Sequence, residues 1–192
     1  MKTNVFPLET ERFYHIYNRG INGGELFFEE QNYFYFLKLL TEKVKPVAKI
    51  YSYCLMKNHF HILVRINSEG EIRSGFPDKN DIEIEKIISR QFSNTFNSYS
   101  QAINKRFGRT GKLFELPFRR KKIITEQQLV NCILYINKNP AKHKIESDFF
   151  KYPYSSIENI LSKNNFFVES KEVIDLFDDE INLRIALKNF GV

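Results

Sequence analysis

Two strand-forming runs separated by three residues constrain this chain more than any other feature. Val47–Leu55 and His59–Ile66 are rich in apolar, β-branched and aromatic residues, and Met56-Lys57-Asn58 leaves room only for a tight hairpin. Side chains on such a hairpin alternate between two faces. His59 and His61 therefore point the same way, and Phe60 points the other. Two imidazoles at this spacing form a bidentate site for a divalent metal. The chain has four histidines, and two of them sit here. A polar surface pair or a hydrogen-bonded core pair would fit the same spacing.

The remaining elements follow from periodicity. Phe13-Tyr14-His15-Ile16-Tyr17-Asn18 reads as a strand, closed by Arg19-Gly20 and the later Gly23-Gly24. Residues 29–44 carry apolar positions at helical spacing, and Pro46 stops them. Residues 67–80 are rich in Ser, Gly, Pro and Asp and read as a loop. A long helix is expected over about 81–106, with Ile84, Ile87, Ile88, Phe92, Phe96 and Tyr99 as its apolar stripe. A fourth strand falls around Arg119–Ile124. A helix over about 125–138 follows, with Thr125 as N-cap, Gln128 at the capping-box position and Pro140 as its stop. A short helix after Pro153 and another around 171–189 complete the tail.

The order is β-α-β-β-α-β-α plus a tail, and its first six elements match the ferredoxin-like pattern. The expected class is α+β, with an antiparallel sheet, helices on one face, the other face open for ligand or nucleic acid, and a C-terminal helical tail. The expected division is 1–152 for the main domain and 153–192 for the helical extension.

Charge narrows the partner. The net charge is +6, and it is concentrated in Lys105, Arg106, Arg109, Lys112, Arg119, Arg120, Lys121 and Lys122, opposed only by Glu115. Such a run favours anionic partners, nucleic acid above all, although a solvated face has the same composition. Cys54 and Cys132 have no metal or redox spacing, so reduced thiols in a cytoplasm are expected. No apolar run reaches membrane-spanning length and no signal-peptide core is seen, so a soluble protein without a membrane partner is expected.

A second group of residues lies downstream. Tyr135 and Asn139 are four apart, hence neighbours on one helix face. A phenol can attack phosphorus if it is activated, since its free pKa is about 10. It also needs a cation on the phosphate. The Asn139 carbonyl oxygen is a hard third ligand suited to Mg²⁺ or Mn²⁺. A half-buried packing tyrosine and a helix-stopping Asn-Pro are the plainer readings of the same residues.

Together these segments resemble a known family. Tyr53-Cys54-Leu55-Met56-Lys57-Asn58-His59-Phe60-His61-Ile62-Leu63 is similar to the metal-binding motif of IS200-type single-tyrosine transposases. Tyr135-Ile136-Asn137-Lys138-Asn139-Pro140-Ala141 resembles the Tyr-Ile-x-x-Asn-Pro block of the branch associated with repetitive extragenic palindromes (REPs). Tyr14-His15-Ile16-Tyr17-Asn18-Arg19-Gly20, Gly111-Lys112-Leu113-Phe114, Phe118-Arg119 and Tyr154-Ser155-Ser156 extend the similarity across roughly residues 10–157.

The resemblance implies a histidine–hydrophobic–histidine (HUH) endonuclease, a transposase acting on single-stranded or hairpin DNA. His59 and His61 would be the metal pair, Asn139 a further ligand to Mg²⁺ or Mn²⁺, and Tyr135 the nucleophile, with a structural role for His15. Insertion-sequence relatives commonly carry Gln where Asn139 stands. Relatives act as monomers or homodimers.

Two other functions compete. A non-catalytic DNA- or RNA-binding module would use the same sheet, but residues 53–66 lack the Arg/Lys-Gly-Phe-type stacking motif. A hydrolytic metalloenzyme would need a general base beside the metal, and no Asp or Glu lies near His59 or His61 in sequence.

Overall fold

The hairpin forms where the two apolar runs place it. In the computed structural model, which describes residues 6–79, 81–163 and 167–191, strand β2 (Ala48–Met56) and strand β3 (His59–Ile66) pair antiparallel, with Met56 opposite His59. Strand β1 (Phe13–Arg19) pairs with the other edge of β3, and β4 (Arg119–Ile123) pairs with β1, giving the order β2-β3-β1-β4. Every pairing is antiparallel. The helices are α1 (Glu30–Leu39), α2 (Glu69–Gly75), α3 (Ile84–Arg106), α4 (Glu126–Lys142), α5 (Ile157–Leu161), α6 (Ser170–Asp175) and α7 (Glu180–Asn189). The protein is thus α+β, with a four-stranded antiparallel sheet in the ferredoxin-like strand order.

Strand alternation separates two kinds of packing. Phe60 of β3 meets Phe36 of α1 and Phe96 of α3, with ring centroids 5.0 and 5.3 Å apart. Its neighbour His61 points to the opposite face and meets Tyr135 of α4 at 5.4 Å. Helices α1 and α3 therefore cover one face, and α4 lies on the other. This corrects the expectation that the second face stays open. Ile133 and Ile136 of α4 are fully buried, so the amphipathic helix hides its apolar stripe by docking there.

A closed ring of hydrogen bonds fixes that docking. Asn137 of α4 donates to the Ser52 hydroxyl at 3.0 Å, Ser52 and Ser156 hydroxyls lie 3.0 Å apart, and Ser156 donates back to the Asn137 carbonyl at 2.9 Å. All three residues are fully buried, and each polar group has a partner.

The tail closes the outer edge of β2. Leu55 N–H donates to Tyr154 O, Ser156 N–H to Tyr53 O and Glu169 N–H to Ile50 O, each at 2.9 Å. An uncovered edge strand is a template for unwanted pairing, and these bonds occupy it. Leu183 and Leu187 of α7 are buried, and α7 packs against α4.

Three element expectations need correction. Residues 67–80 were expected as loop, but α2 forms within them (residue 80 lies outside the described residues). Ser68 and Glu71 make a capping box that nucleates this short helix. Pro140 does not stop α4, which runs on to Lys142. Proline removes the N–H that would bond the Ile136 carbonyl, and the Asn139 side-chain amide donates to Ile136 O at 3.4 Å and Tyr135 O at 2.8 Å instead. The single helix expected around 171–189 is two helices, α6 and α7. Asp178 between them adopts φ +67°, and Asp179 caps α7 by accepting from Asn182 N–H at 2.7 Å. Among the described residues no helix is long and apolar enough to cross a membrane.

Candidate active site

All four histidines of the chain gather on the α4 face of the sheet. His61 Nδ1 lies 2.9 Å from His15 Nε2 of β1, and the His59 and His61 rings stand 5.4 Å apart. His143, at the end of α4, sets its ring 4.7 Å from His59. Tyr17, Asn18, Arg19, Gly23, Asn58, His59, His61, Arg119 and His143 line a cleft of about 390 Å³.

The backbone brings these groups together by register. Tyr17 pairs with His61 on one side and Arg119 on the other, and His15 pairs with Lys121. Paired residues share a face, so β1, β3 and β4 each contribute side chains to one surface. Gly20 ends β1, and an added Cβ there would sit 1.9 Å from the Gly24 carbonyl oxygen, so only glycine permits this loop. The loop holds Asn58, whose carbonyl accepts from Gly20 N–H at 2.9 Å and whose side chain donates to Gly23 O at 3.3 Å.

Hydrogen bonding orients both imidazoles of the pair. His59 Nδ1 lies 2.7 Å from Asn58 Oδ1, an acceptor, so Nδ1 carries the proton and Nε2 keeps its lone pair. His61 Nδ1 and His15 Nε2 share one hydrogen bond whose direction depends on the tautomer; only the tautomer in which His61 Nδ1 donates leaves His61 Nε2 bare. Burial lowers the pKa of His15 and His59 to about 4 and that of His61 to about 2; the last is also depressed by the neighbouring His15 and His59. His143 is lowered by burial and by Lys142. Neutral imidazoles are the form a cation requires.

Tyr135 rests on this cluster. Its ring is half-buried and edge-on to His61, with His15 at 6.1 Å, and the Lys142 ammonium stands 4.8 Å above it. Burial pushes the phenol above its ordinary value, and Cys132 and Tyr17 nearby push the same way. The protein environment alone therefore disfavours phenolate.

Asn139 lies within α4, not just past its end as the expected stop at Pro140 implies. It is fully buried with its Nδ2 committed to the helix backbone, and Oδ1 has no hydrogen-bond partner among the described residues. An unpaired buried carbonyl oxygen costs about 1–3 kcal/mol. Among the described residues no cluster of three or more His, Cys, Asp and Glu side chains is arranged to hold a metal. His59 and His61 line the cleft, and Asn139 is not among its lining residues; the donor types are two imidazoles and one amide oxygen. These suit a hard divalent ion that completes its shell with phosphate and water.

The basic run divides. Arg119 and Lys121 face the histidine cleft, as their pairing with Tyr17 and His15 requires. Arg120 and Lys122 point to the opposite face. Arg120 lies 4.3 Å from the Phe118 ring centroid, and Lys122 bonds Glu9 at 2.6 Å. Lys105 and Arg106 end α3, where Arg106 pairs with Glu29 at 3.3 Å. Arg109 lies over Phe28, and Lys112 lines a separate groove. The eight cations do not form one patch. Phe114 and Phe118 are buried, and Phe107 packs 4.7 Å from Phe28, so these aromatics are packing residues.

Sequence reasoning missed His143 and Lys142. Expecting Pro140 to stop the helix removed both from the Tyr135 face, although Lys142 is seven residues on and shares that face at helical spacing. Among the described residues no carboxylate lines the cleft. Glu115, beyond it, is held by Arg19 at 2.5 Å and Arg119 at 3.5 Å.

The fold is similar to that of a solved REP-associated tyrosine transposase bound to a REP hairpin. The likeness covers 86% of this chain and 88% of that one, with a TM-score of 0.56 and 13% sequence identity. At that identity the likeness is one of fold. No family model and no curated protein matches the sequence.

Proposed function

We propose that this protein is a metal-dependent endonuclease and transposase of single-stranded DNA, cutting and rejoining strands beside hairpins through a 5′-phosphotyrosine. The observation that carries this reading is the contact between Tyr135 of α4 and the His61 ring. It joins a phenol to a pair of neutral imidazoles across 74 residues of sequence. The fold likeness to a hairpin-bound tyrosine transposase supports the substrate class.

His59 and His61, which line the cleft, would hold the cation, with Asn139, whose Oδ1 has no hydrogen-bond partner among the described residues, as a further ligand. Bound there, Mg²⁺ or Mn²⁺ would offset phosphate charge and favour the ionised phenol, chemistry the surrounding residues do not supply. The chain's own groups do the rest. Arg119 and Lys121 bind backbone phosphates and set the strand across the cleft. Tyr135, fixed on a docked helix, attacks phosphorus in line. A P–O bond to the phenol forms, the bond to the 3′ oxygen breaks, and the departing oxygen leaves as a 3′-hydroxyl. Because the phosphotyrosine conserves the ester, a later 3′-hydroxyl reverses the step without hydrolysis.

The phenol and both imidazoles belong to one chain, so a monomer carries the whole set. The hydrolase reading has less support, since among the described residues no carboxylate lines the cleft to serve as general base.

The test uses a hairpin oligonucleotide labelled at its 3′ end, with Mn²⁺. Wild type should give a labelled covalent band. Tyr135→Phe should abolish it while keeping hairpin affinity within about twofold of wild type, since only the hydroxyl is removed. A covalent band of full intensity from Tyr135→Phe would overturn the assignment.

A further inference from the structure

The end of α4 brings a third imidazole to the histidine cleft. His143 lines that cleft together with His59 and His61, whereas Asn139 does not. His143 follows directly on Lys142, the last residue of α4, and its backbone N–H donates to Asn139 O at 2.9 Å. This bond keeps the helical i to i−4 pattern, so the helix itself carries the residue to the cleft. The His143 side chain is exposed, which leaves it room to change rotamer.

The spacing of the rings suits one shared ion. Metal–nitrogen bonds of about 2.1 Å set two imidazole centroids on a common ion roughly 4.5–5.5 Å apart. His59 belongs to two such pairs, 5.4 Å from His61 and 4.7 Å from His143. The rings of each pair meet edge to face, at 88° and 67°. Accordingly no three-ligand cluster is preformed among the described residues. Rotation of the exposed His143 side chain is the movement that completes one.

Charge around the cleft decides which ion such a set takes. Arg19 and Arg119 line it, and among the described residues no carboxylate does. Mg²⁺ is usually held by carboxylate and other oxygen donors, so three nitrogens serve it poorly. Imidazole suits later first-row ions, whose affinity rises from Mn²⁺ through Co²⁺ to Ni²⁺. We propose that His143 is a third imidazole ligand to the cation of the histidine cleft, and that the centre therefore binds Co²⁺ in preference to Mg²⁺. This deepens the proposed function and rests on it for the His59–His61 pair.

The test is calorimetric titration of the metal-free protein with Co²⁺ and with Mg²⁺, joined to the ligand-field spectrum of the Co²⁺ form. Wild type should bind Co²⁺ at least about tenfold more tightly than Mg²⁺. His143→Ala should weaken Co²⁺ binding by about tenfold or more, since even the partners of a ligand are worth that much, and should change the spectrum. Wild-type affinity and spectrum in His143→Ala, or equal affinity of wild type for the two ions, would overturn the inference. His59→Ala separates it from the reading on which it rests. Co²⁺ lost in His59→Ala but kept in His143→Ala removes the third ligand and leaves the pair. Co²⁺ kept in His59→Ala, or refused by wild type, removes the pair and the third ligand with it.

Discussion

The two faces of the sheet are built from the same strands and serve opposite ends. On one face Phe60, Ile62 and Val64 of β3 are fully buried under α1 and α3. On the other, the alternate residues His59, half-buried, and His61, buried, are kept neutral by desolvation. A period of two lets one strand supply stability on one side and reactive groups on the other. Neighbouring residues can therefore be expected to respond to mutation in different currencies.

The largest contrast should come from adjacent positions. Phe60→Ala leaves a cavity among Phe36, Phe96 and Phe114 and should cost about 3–5 kcal/mol in urea unfolding. His59→Ala should change stability by no more than about 1 kcal/mol and remove metal-dependent cleavage. Equal stability losses at the two positions would erase the distinction between the faces.

Acid should act on the histidine face. Folding lowers the pKa of His15 and His59 to about 4, whereas the unfolded value is about 6.5. The unfolded chain then binds more protons as pH falls, so this stability is complete above about pH 6.5 and drains away toward pH 4. Thermal melting followed between those pH values should show the decline, and His15→Asn should flatten it. An unchanged slope in that variant would place the acid sensitivity elsewhere.

The smallest effect concerns cations next to each other on β4. Lys121→Ala should lower the salt dependence of DNA binding by about one phosphate contact. Lys122→Ala, on the opposite face and paired with Glu9, should leave that slope in place and lower stability by no more than about 1 kcal/mol. Identical slopes in the two variants would mean that strand alternation does not sort the basic run.

Much of this organisation was legible from residue patterns. All four strands and the helix that carries Tyr135 follow from periodicity, and the resemblance singles out His59, His61 and Tyr135, whose rings the fold sets in one chain of contacts. The failures have more than one cause. Pro140 signals a helix end, but a side-chain amide replaces the lost bond and the buried helix continues. Gly and Ser around residue 70 signal a loop, while Ser68 and Glu71 carried a legible capping box. The gathering of His15 and His143 with the pair had no local signal, because it depends on which strands become neighbours and how far α4 extends.

The ring of Ser52, Asn137 and Ser156 has a consequence for where chemistry can happen. Interlocked aliphatic teeth tolerate a helix seated one notch along, but three mutually dependent polar groups close in only one arrangement. A one-residue slip would swing Tyr135 by about 100° around the α4 axis, away from the imidazoles. The address of the phenol is thus encoded in three uncharged side chains that touch none of the reacting atoms, so the outer surface is free to drift while that address stays the same.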